Sequence, residues 1–453
     1  MPGDPQQAYL DGNHRMAAGD LAAAEQCYLD ALQVQPLHAG ARANLGYLKE
    51  LQGFPAEAEY HYLQAIALMP DHAQLRQNLS ALLLKAKRFG EAEAQAREAA
   101  RLEPESPAAW NQFGVVLACT HREEEAEACY RRSLALDHQH ARTRFNLSYL
   151  LLRQARFEEG WKMLDARWQF DHFPLSFDCP FWDGEALHGK SIVIGLEAGH
   201  GDMIHFCRYA ALLKEGGAAQ VALVCHPALA RLFATLPGVD HVYALGEALP
   251  GGWDYWTRPM RLPGLFGTDL HSIPAPVPYL HAEPQLAAHW RALLPQQGLR
   301  IGLAWQGNRN FENDADRSLP ALMTLAPLTD AAVGAQFVSL QKGADEEEAT
   351  RPPAGMALLA IGAQLGDFAD TAAVIANLDL VISVDTAVAH LAGALGKPCW
   401  LLLPDYRCDW RWMKERDDTP WYPSMRLFRQ PRGAGWAPVI AEVSAALRAW
   451  SAR

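Results

Sequence analysis

The stretch Leu380-Val-Ile-Ser-Val-Asp-Thr-Ala-Val-Ala-His-Leu-Ala-Gly-Ala-Leu-Gly-Lys-Pro398 decides the fold class of the second half of this chain. Its first five residues are mostly apolar and β-branched, and they predict a buried strand, Leu380–Val384. Asp385 or Thr386 then supplies a helix cap, and the small residues that follow predict a helix over Thr386–Leu395. A buried strand that turns directly into a helix is the repeating unit of a parallel sheet with crossover helices.

The same alternation continues on both sides of this stretch. The other predicted strands are Ser191–Leu196, Val221–Cys225, His241–Leu245, Arg300–Trp305, Gln336–Leu340, Ala357–Ile361 and Cys399–Leu403. The other predicted helices are Met203–Glu215, Pro227–Leu236, Leu319–Leu328 and Ala369–Asn377. A linker over Phe173–Lys190 precedes the first series, and Pro274, Pro276 and Pro278 separate it from the second. The sequence therefore predicts two Rossmann-like α/β domains, residues 171–290 and 291–453, with a cleft between them.

The first third of the chain has a different pattern, which repeats every 34 residues. Three sets of residues recur at this spacing: Ala24, Ala58, Ala92 and Ala126; Gly12, Gly46, Ser80, Gly114 and Ser148; Pro36, Pro70 and Pro104. Small residues at fixed places allow two antiparallel helices to approach closely, and a proline ends the second helix. This pattern resembles the tetratricopeptide (TPR) repeat and predicts an α solenoid of about five repeats over residues 1–170. The resemblance implies a concave face that holds a protein or peptide, and a purely structural or dimerising solenoid is the alternative.

Composition excludes several classes of protein. The 453 residues carry 52 Asp and Glu against 40 Lys and Arg, and this net charge of −12 disfavours binding to nucleic acid. No apolar run approaches the ~20 residues of a membrane-spanning helix, and the N-terminus lacks the pattern of a signal peptide. The eight cysteines form no Cys-x-x-Cys pair, which predicts reduced thiols in a cytoplasmic protein.

Two strand-to-helix turns carry the candidate functional residues, because parallel sheets bind ligands at the carboxyl ends of their strands. The first turn is Glu197-Ala198-Gly199-His200-Gly201-Asp202, where two glycines permit a tight turn and a ligand close to backbone N–H groups. Asp202 then opens the helix, and it serves there either as a cap or as a proton acceptor. In the second turn, Thr386 and His390 share a helix face, and a helix N-terminus with a hydroxyl and an imidazole suits a diphosphate. The alternative for this second turn is an ordinary capped helix with a core histidine.

Taken together, these motifs resemble heptosyltransferase-type glycosyltransferases of the two-domain GT-B fold and, over residues 171–453, bacterial TPR-containing glycosyltransferases. The combination is also similar to the O-linked N-acetylglucosamine transferases. Further marks of the resemblance are Ser339–Gly343, Asp367–Thr371, Pro404 followed by Asp409–Trp412, and Pro420–Pro423. The resemblance implies an inverting transfer of a sugar from a nucleotide-sugar donor to a hydroxyl on a protein that the TPR repeats select, with no metal and no cofactor.

The resemblance also implies roles for individual residues. Asp202 matches the catalytic base, within an active-site turn formed with Glu197, Gly199, His200 and Gly201. The residues implied in donor binding are Arg317, Gln341, Asp385, Thr386, Ala387, Val388 and His390. The turn departs from the family pattern at Ala198, His200, Met203 and His205. A TPR scaffold with a degenerate transferase half therefore stays open as an alternative, as do the donor sugar, its base, the acceptor and the oligomeric state.

Three other interpretations are less favoured by the sequence. Asp314-Ala315-Asp316 has the form of an Asp-x-Asp metal clamp, but the glycosyltransferases that use this clamp have a different fold. His200, His205 and Cys207 match no standard metal-binding spacing. The first turn also lacks the third glycine of a dinucleotide-binding motif, since position 204 is Ile204.

Overall fold

The computed structural model describes residues 4–170, 176–274, 277–343 and 345–452. These residues form two compact units, which divide between Leu150 and Leu151. The predicted linker begins and the proline-rich stretch continues outside the described residues, at residues 173–175 and at Pro276.

The first unit is a series of antiparallel helix pairs. Its helices are α1 (Pro5–Ala17), α2 (Leu21–Val34), α3 (Ala39–Leu51), α4 (Pro55–Leu68), α5 (Ala73–Lys85), α6 (Phe89–Leu102), α7 (Pro107–Cys119), α8 (Glu123–Leu136) and α9 (Ala141–Arg153), the last of which runs on into the second unit. Successive odd-numbered helices begin 34 residues apart from α1 to α9, as do even-numbered ones from α2 to α8. This regularity confirms the TPR-type solenoid that the sequence predicts.

Close packing within each pair explains the periodic small residues. A Cβ atom built on Gly12 would lie 2.5 Å from the Tyr28 ring, and one on Gly114 would lie 2.5 Å from the Tyr130 ring. These distances are too short for any side chain, so the aromatic ring of the second helix requires glycine on the first. In the third pair a serine takes this position, and its hydroxyl donates a hydrogen bond to the Ala92 carbonyl (2.8 Å).

After the end of α9, the second unit contains α10 (Phe157–Leu164), a 3-10 helix over Asp165–Gln169 and a four-stranded parallel sheet. The strands are β1 (Ser191–Ile194), β2 (Gln220–Cys225), β3 (His241–Ala244) and β4 (Tyr255–Thr257), in the order β3-β2-β1-β4. The accompanying helices are α11 (His200–Phe206), α12 (Ala210–Glu215), α13 (Pro227–Phe233) and α14 (Leu262–Leu265), with 3-10 helices at Cys207–Tyr209 and Pro259–Arg261. Each strand pairs in parallel with its neighbours, as the strand-helix alternation predicts.

A six-stranded parallel sheet follows, in the order β10-β9-β8-β5-β6-β7. Its strands are β5 (Arg300–Ala304), β6 (Gln336–Ser339), β7 (Leu358–Ala360), β8 (Leu380–Val384), β9 (Cys399–Leu403) and β10 (Met425–Arg429). Its helices are α15 (Pro284–Leu293), α16 (Asp314–Arg317), α17 (Leu328–Ala331), α18 (Phe368–Ala376), α19 (Ala387–Ala394) and α20 (Ala437–Ser451). Short 3-10 helices lie at Leu322–Leu325, Glu346–Thr350, Gly362–Gln364 and Trp410–Trp412. The central strand β8 is buried along its whole length, as its sequence predicts.

The structure differs from the prediction in a few elements. The predicted helix Leu319–Leu328 is wrong: the region forms only the 3-10 turn and the short α17, because Pro327 has no N–H to continue a helix. The predicted helix Met203–Glu215 begins three residues earlier and contains a 3-10 segment. Strands β4 and β10 and helices α15 and α20 were not predicted.

Segment 157–168, which the sequence pattern assigns to the solenoid, packs on the regions of both sheets. The Trp161 indole N–H donates to the Thr268 carbonyl (2.8 Å), and its ring lies edge-on to Trp410 at 5.3 Å between centroids. This segment is therefore part of the α/β unit.

Candidate active site

The second turn lies at the carboxyl end of β8, where α19 begins. Thr386 is the residue before the helix, and its hydroxyl lies 3.3 Å from the Ser383 hydroxyl rather than capping the helix. The first backbone hydrogen bonds of the helix run from Ala389 and His390 to the Thr386 carbonyl (3.1 and 3.3 Å). The N–H groups that precede them, at the first positions of α19, have no partner inside the helix and point towards the turn.

Asp385 is a largely buried carboxylate beside this helix, with 13% of its side chain exposed. Its Oδ2 accepts a hydrogen bond from the Trp412 indole (2.8 Å), and its Oδ1 lies 3.9 Å from Nε2 of His390. Burial raises the pKa of Asp385 to about 6, and the nearby negative charge of Asp409 acts in the same direction. The pKa of Asp385 therefore lies close to neutral pH, so a small change in its surroundings can protonate it.

The first turn is built differently from the prediction. Helix α11 begins at His200 after Gly199, so Asp202 is the third residue of the helix and the prediction that it opens the helix is wrong. Its Oδ2 nevertheless accepts from the Gly199 N–H (3.1 Å), which is the contact of a capping box. Asp202 therefore stabilises the start of α11 from within the helix itself. Ala198, which precedes the helix cap, takes a left-handed conformation (φ 60°).

Gly201 brings the two turns together. A Cβ atom on this residue would lie 2.9 Å from Cδ2 of His390 and 3.5 Å from Cα of Ala387. The start of α11 therefore packs against the start of α19, and any larger residue would force them apart. Asp202, Asp385 and His390 come from two different sheets and lie around this one contact.

Arg411 connects the turns electrostatically. Its Nη2 donates to Oδ1 of Asp202 (2.5 Å), and its Nη1 donates to Oδ2 of Asp409 (3.0 Å). The arginine side chain is only 4% exposed, whereas that of Asp202 is 28% exposed. The motif Asp409-Trp-Arg-Trp412 signals this residue, but the sequence does not indicate that its partner lies some 200 positions earlier in the chain.

Glu197 has a structural environment. The guanidinium of Arg167 donates to its Oε1 from Nε and Nη2 (3.0 and 2.6 Å), and the Trp168 indole donates to the same oxygen (3.0 Å). The Met260 N–H donates to the other oxygen (3.0 Å). Both glutamate oxygens are thus bound to protein groups in a buried pair, which anchors segment 165–168 to the turn.

The two donor-binding residues predicted on other loops are both near the second sheet's carboxyl edge. Arg317 lies over the Phe311 ring at 4.3 Å and donates to Asp314 (3.2 Å), and its positive charge opposes the rise in the pKa of Asp385. Gln341 is buried, and its amide oxygen accepts from the N–H groups of Trp305 and Gln306 (both 3.1 Å). Gln341 therefore fixes the loop after β5, a role that the sequence did not indicate.

His200 forms an aromatic stack beside the first turn. Its ring lies 4.3 Å from that of His226 and 5.2 Å from that of Phe368, which belongs to the other sheet's region. Burial lowers the pKa of His200 to about 4, so this imidazole is neutral at physiological pH. The stack is a further contact between the regions of the two sheets, next to the one that Gly201 makes with His390.

The residues of the disfavoured metal sites are also engaged elsewhere. Asp314 accepts from the Ser318 hydroxyl (2.9 Å) and pairs with Arg317, while the Cys207 thiol donates to the Ile204 carbonyl (3.2 Å). Within the described ranges, no group of three or more His, Cys, Asp or Glu side chains is arranged to hold a metal ion.

Comparison with known proteins finds a partial match to one family and one relative. Residues 331–401 match glycosyltransferase family 9 (heptosyltransferase). Protein FlbA of Caulobacter vibrioides is 29% identical over 348 residues, which are 69% of this chain and 56% of the relative. The chain is therefore similar to heptosyltransferases over residues 331–401, and its first unit is a TPR-type solenoid.

Solved structures are also similar to parts of this chain. They include PilF of Pseudomonas aeruginosa (22% identity, 37% of this chain and 77% of that one, TM-score 0.35). MamA of Desulfovibrio magneticus RS-1 is 16% identical and covers 38% of this chain and 100% of its own, with a TM-score of 0.34. A thermophilic TPR protein of Thermus thermophilus is 22% identical and covers 36% and 96%, with a TM-score of 0.32.

The family match covers one side of the candidate site. Gln341 and the turn from Asp385 to His390 lie inside the matched segment, whereas Asp202 and Arg317 lie outside it. In the part of the chain that the structure describes, no helix has both the length and the apolar character needed to cross a bilayer.

Proposed function

We propose that the α/β unit of this heptosyltransferase-like protein is a GT-B glycosyltransferase that moves a sugar from a nucleotide-sugar donor to a hydroxyl, with inversion at the anomeric carbon. The observation that carries the proposal is the contact between Gly201 and His390. It brings the strand-to-helix turns of two parallel sheets against each other, and such turns are where these folds bind ligands. The match to glycosyltransferase family 9 over residues 331–401 supports this assignment.

The donor diphosphate binds at the N-terminus of α19 in this proposal. The first N–H groups of the helix, at Ala387 and Val388, supply hydrogen-bond donors, and the helix dipole favours negative charge there. The Thr386 hydroxyl adds a further polar contact, and Arg317 supplies a positive charge near Asp385. These groups stabilise the diphosphate as it leaves.

Asp202 is the general base in the same proposal. Its oxygens each accept one hydrogen bond, from Gly199 and Arg411, and a carboxylate has about four acceptor positions. A free position can therefore take the proton of the acceptor hydroxyl while that oxygen attacks the anomeric carbon from the face opposite the diphosphate. A positioned base of this kind contributes ~10²–10⁴-fold to the rate.

Titration calorimetry with uridine, adenosine and guanosine diphosphates tests the donor site. We expect one of them to bind the wild-type chain, and the double variant Thr386→Val with His390→Ala to bind it more weakly. The alternative function, a TPR scaffold with a degenerate transferase half, is favoured by the engagement of Asp202 with Arg411. Absence of binding by all three nucleotides would support that alternative.

Metal-independent chemistry is a separate part of the proposal. The helix N-terminus and the cationic side chains already supply the positive charge that a divalent ion supplies elsewhere. We expect turnover to persist in excess chelator. Loss of turnover that magnesium or manganese restores would instead support Asp314 and Asp316 as metal ligands.

The protein acceptor is assigned to the TPR solenoid. The solenoid forms its own compact unit up to Leu150. We expect deletion of residues 1–140 to abolish transfer to the natural protein acceptor while nucleotide binding survives. Full transfer by a folded, truncated chain would remove the solenoid from acceptor selection.

A further inference from the structure

A buried tyrosine joins the two turns through their histidines. His205, on α11, and His390, on α19, each place Nδ1 2.9 Å from the hydroxyl of Tyr422. All three side chains are buried. Tyr422 belongs to the motif Pro420–Pro423, and His205 is one of the departures of the first turn, and neither has a role in the function proposed above.

The protonation states of these groups restrict the hydrogen bonds they can form. Burial lowers the pKa of both His205 and His390 well below the ordinary value, and burial raises the pKa of Tyr422 to about 12. Each imidazole is therefore neutral with one N–H, and the hydroxyl keeps its single proton. That proton can bond to only one Nδ1, so the other Nδ1 must carry its own hydrogen and donate to the Tyr422 oxygen.

Two observations decide the direction of these bonds. Nε2 of His205 is buried and contacts no donor or acceptor among the described residues. An unpaired buried N–H is rarer in proteins than an unpaired acceptor, so the hydrogen of His205 lies on Nδ1. Nε2 of His390 faces Oδ1 of Asp385 at 3.9 Å, where an N–H is attracted to the carboxylate and a lone pair is repelled.

Tyr279 is the other phenol at this point, and it also lies within hydrogen-bonding reach of Tyr422. Its hydroxyl accepts from Nη2 of Arg208 (2.9 Å) and donates to the Ile204 carbonyl (2.9 Å). Arg208 itself lies over the Tyr422 ring at 4.8 Å, which holds the ring in place without using the hydroxyl. A phenol oxygen that already accepts from an arginine is a weaker acceptor than the free lone pair of a neutral imidazole, so the proton of Tyr422 is directed to a histidine.

We propose that His205 and Tyr422 form a hydrogen-bond relay, His205 Nδ1–H to Tyr422 O–H to His390 Nδ1, which fixes His390 as the Nε2–H tautomer. Resting on the proposed function, His390 then donates a hydrogen bond to the sugar-nucleotide donor and does not accept the proton of the attacking hydroxyl. His205 and Tyr422 are positioning residues, which act only through His390.

The relay is tested first in the ligand-free protein, so that its outcome is independent of catalysis. Full-length chain labelled with ¹⁵N in histidine reports each tautomer through two-bond nitrogen–proton correlations, and variants at 205 and 390 identify the two signals. We expect Nδ1–H for His205 and Nε2–H for His390. The reverse arrangement, or Nδ1–H in both rings with Tyr422 donating to Tyr279, overturns the proposal.

A matched pair of variants separates the relay from simple packing. His205→Asn keeps an N–H close to the position of Nδ1, whereas His205→Leu has nearly the same shape and no donor. We expect His205→Asn to keep His390 as Nε2–H with turnover within about threefold of wild type. We expect His205→Leu and Tyr422→Phe to mix the two tautomers and lower turnover ~10-fold, the value of one hydrogen bond, with a smaller change in KM.

Equal losses in His205→Asn and His205→Leu, with the His390 tautomer unchanged in both, would show that position 205 only fills space and would overturn the relay. Addition of the nucleoside diphosphate that calorimetry identifies gives the last readout. The Nε2–H resonance of His390 should shift on binding in wild type. An unshifted resonance in a protein that does bind nucleotide would remove His390 from the donor site while leaving the proposed donor site itself intact.

Discussion

The two strand-to-helix turns look alike in sequence, yet the structure uses their carboxylates in opposite ways. In the first turn, Glu197 is bound on both oxygens and Asp202 is bound to Gly199 and Arg411. In the second turn, Asp385 is buried against a neutral indole, and the Thr386 hydroxyl does not cap its helix. The carboxylates of the first turn accept hydrogen bonds from cationic and backbone donors. Asp385, in the second turn, lies largely buried beside a helix N-terminus.

The comparison teaches that an acidic residue after a buried strand has no fixed meaning. Its role depends on which hydrogen-bond donors and charges the tertiary fold brings to it, and at both turns these groups come from other segments of the chain. Each of the following predictions changes one member of this comparison.

The largest effect is expected from Glu197→Gln. This variant removes the charge that compensates Arg167, whose side chain is only 2% exposed, and breaking such a buried pair costs about 3–5 kcal/mol. Urea unfolding of the full chain should show this loss in free energy of unfolding. Glu283→Gln is the matched control, because its partner Arg231 is exposed and such pairs are worth about 0.2–1 kcal/mol. Equal losses in the two variants would contradict the anchoring role of Glu197.

The next effect is on catalysis, through Asp202→Asn. The amide oxygen can still accept from Gly199, but it cannot take a proton comparably, so turnover should fall ~10²-fold or more. The structure adds a stability loss that a simple helix cap would not show, because the buried Arg411 loses a carboxylate partner.

Asp409→Asn controls for that stability loss, since it also removes a carboxylate partner of Arg411. We expect both variants to melt lower than wild type and only Asp202→Asn to lose most of its turnover. Similar turnover in the two variants would mean that Asp202 serves the ion pair alone, and would move the base to another group.

The sequence predicted the fold well where local patterns determine structure. The 34-residue period depends on contacts inside each helix pair, such as Gly12 against Tyr28, and the buried strand β8 follows from its apolar run. The helix predicted at Leu319–Leu328 failed because apolar spacing suggested a helix that Pro327 interrupts.

Less of the candidate site could be predicted. Buried strands followed by helix-start residues identified the two turns, but no local pattern specifies that Gly201 would contact His390 nearly 190 positions later. For the same reason the sequence did not predict the roles of Arg411 and Tyr422, whose partners Asp202 and His205 are distant in sequence. Long-range pairings of buried polar groups depend on the finished packing of two sheets, which is why the sequence alone indicated the turns and not their connections.

A smaller effect is expected at the Thr386 hydroxyl. Thr386→Val keeps the shape of the side chain and removes one hydrogen bond to the diphosphate, so nucleotide affinity should fall ~10-fold. Thr371→Val is the control, because that hydroxyl donates to the Asp367 carbonyl inside α18. Calorimetry that finds the same affinity in both variants would place the diphosphate away from α19.

The smallest effect concerns the pH dependence of nucleotide binding, which tests whether the largely buried Asp385 lies beside the bound diphosphate. Because burial and Asp409 raise the pKa of Asp385 to about 6, the folded chain binds this proton more tightly than the unfolded chain does. The stability that this proton contributes is therefore present at low pH and is lost as the pH rises through the folded-state pKa of about 6.

Nucleotide binding should move the same equilibrium further. A diphosphate on α19 adds negative charge beside Asp385, which favours its protonated form, so binding near pH 6.5 should take up protons from the buffer. Affinity should accordingly rise ~2–5-fold between pH 7.5 and pH 5.5. The nucleotide also titrates in this range, so the informative quantity is the difference from Asp385→Asn, which binds the same ligand without the carboxylate. Proton uptake measured in buffers of different ionisation enthalpy should be greater for wild type than for the variant. Identical uptake would mean that Asp385 and the diphosphate do not share this turn, and the second half of the comparison would fail.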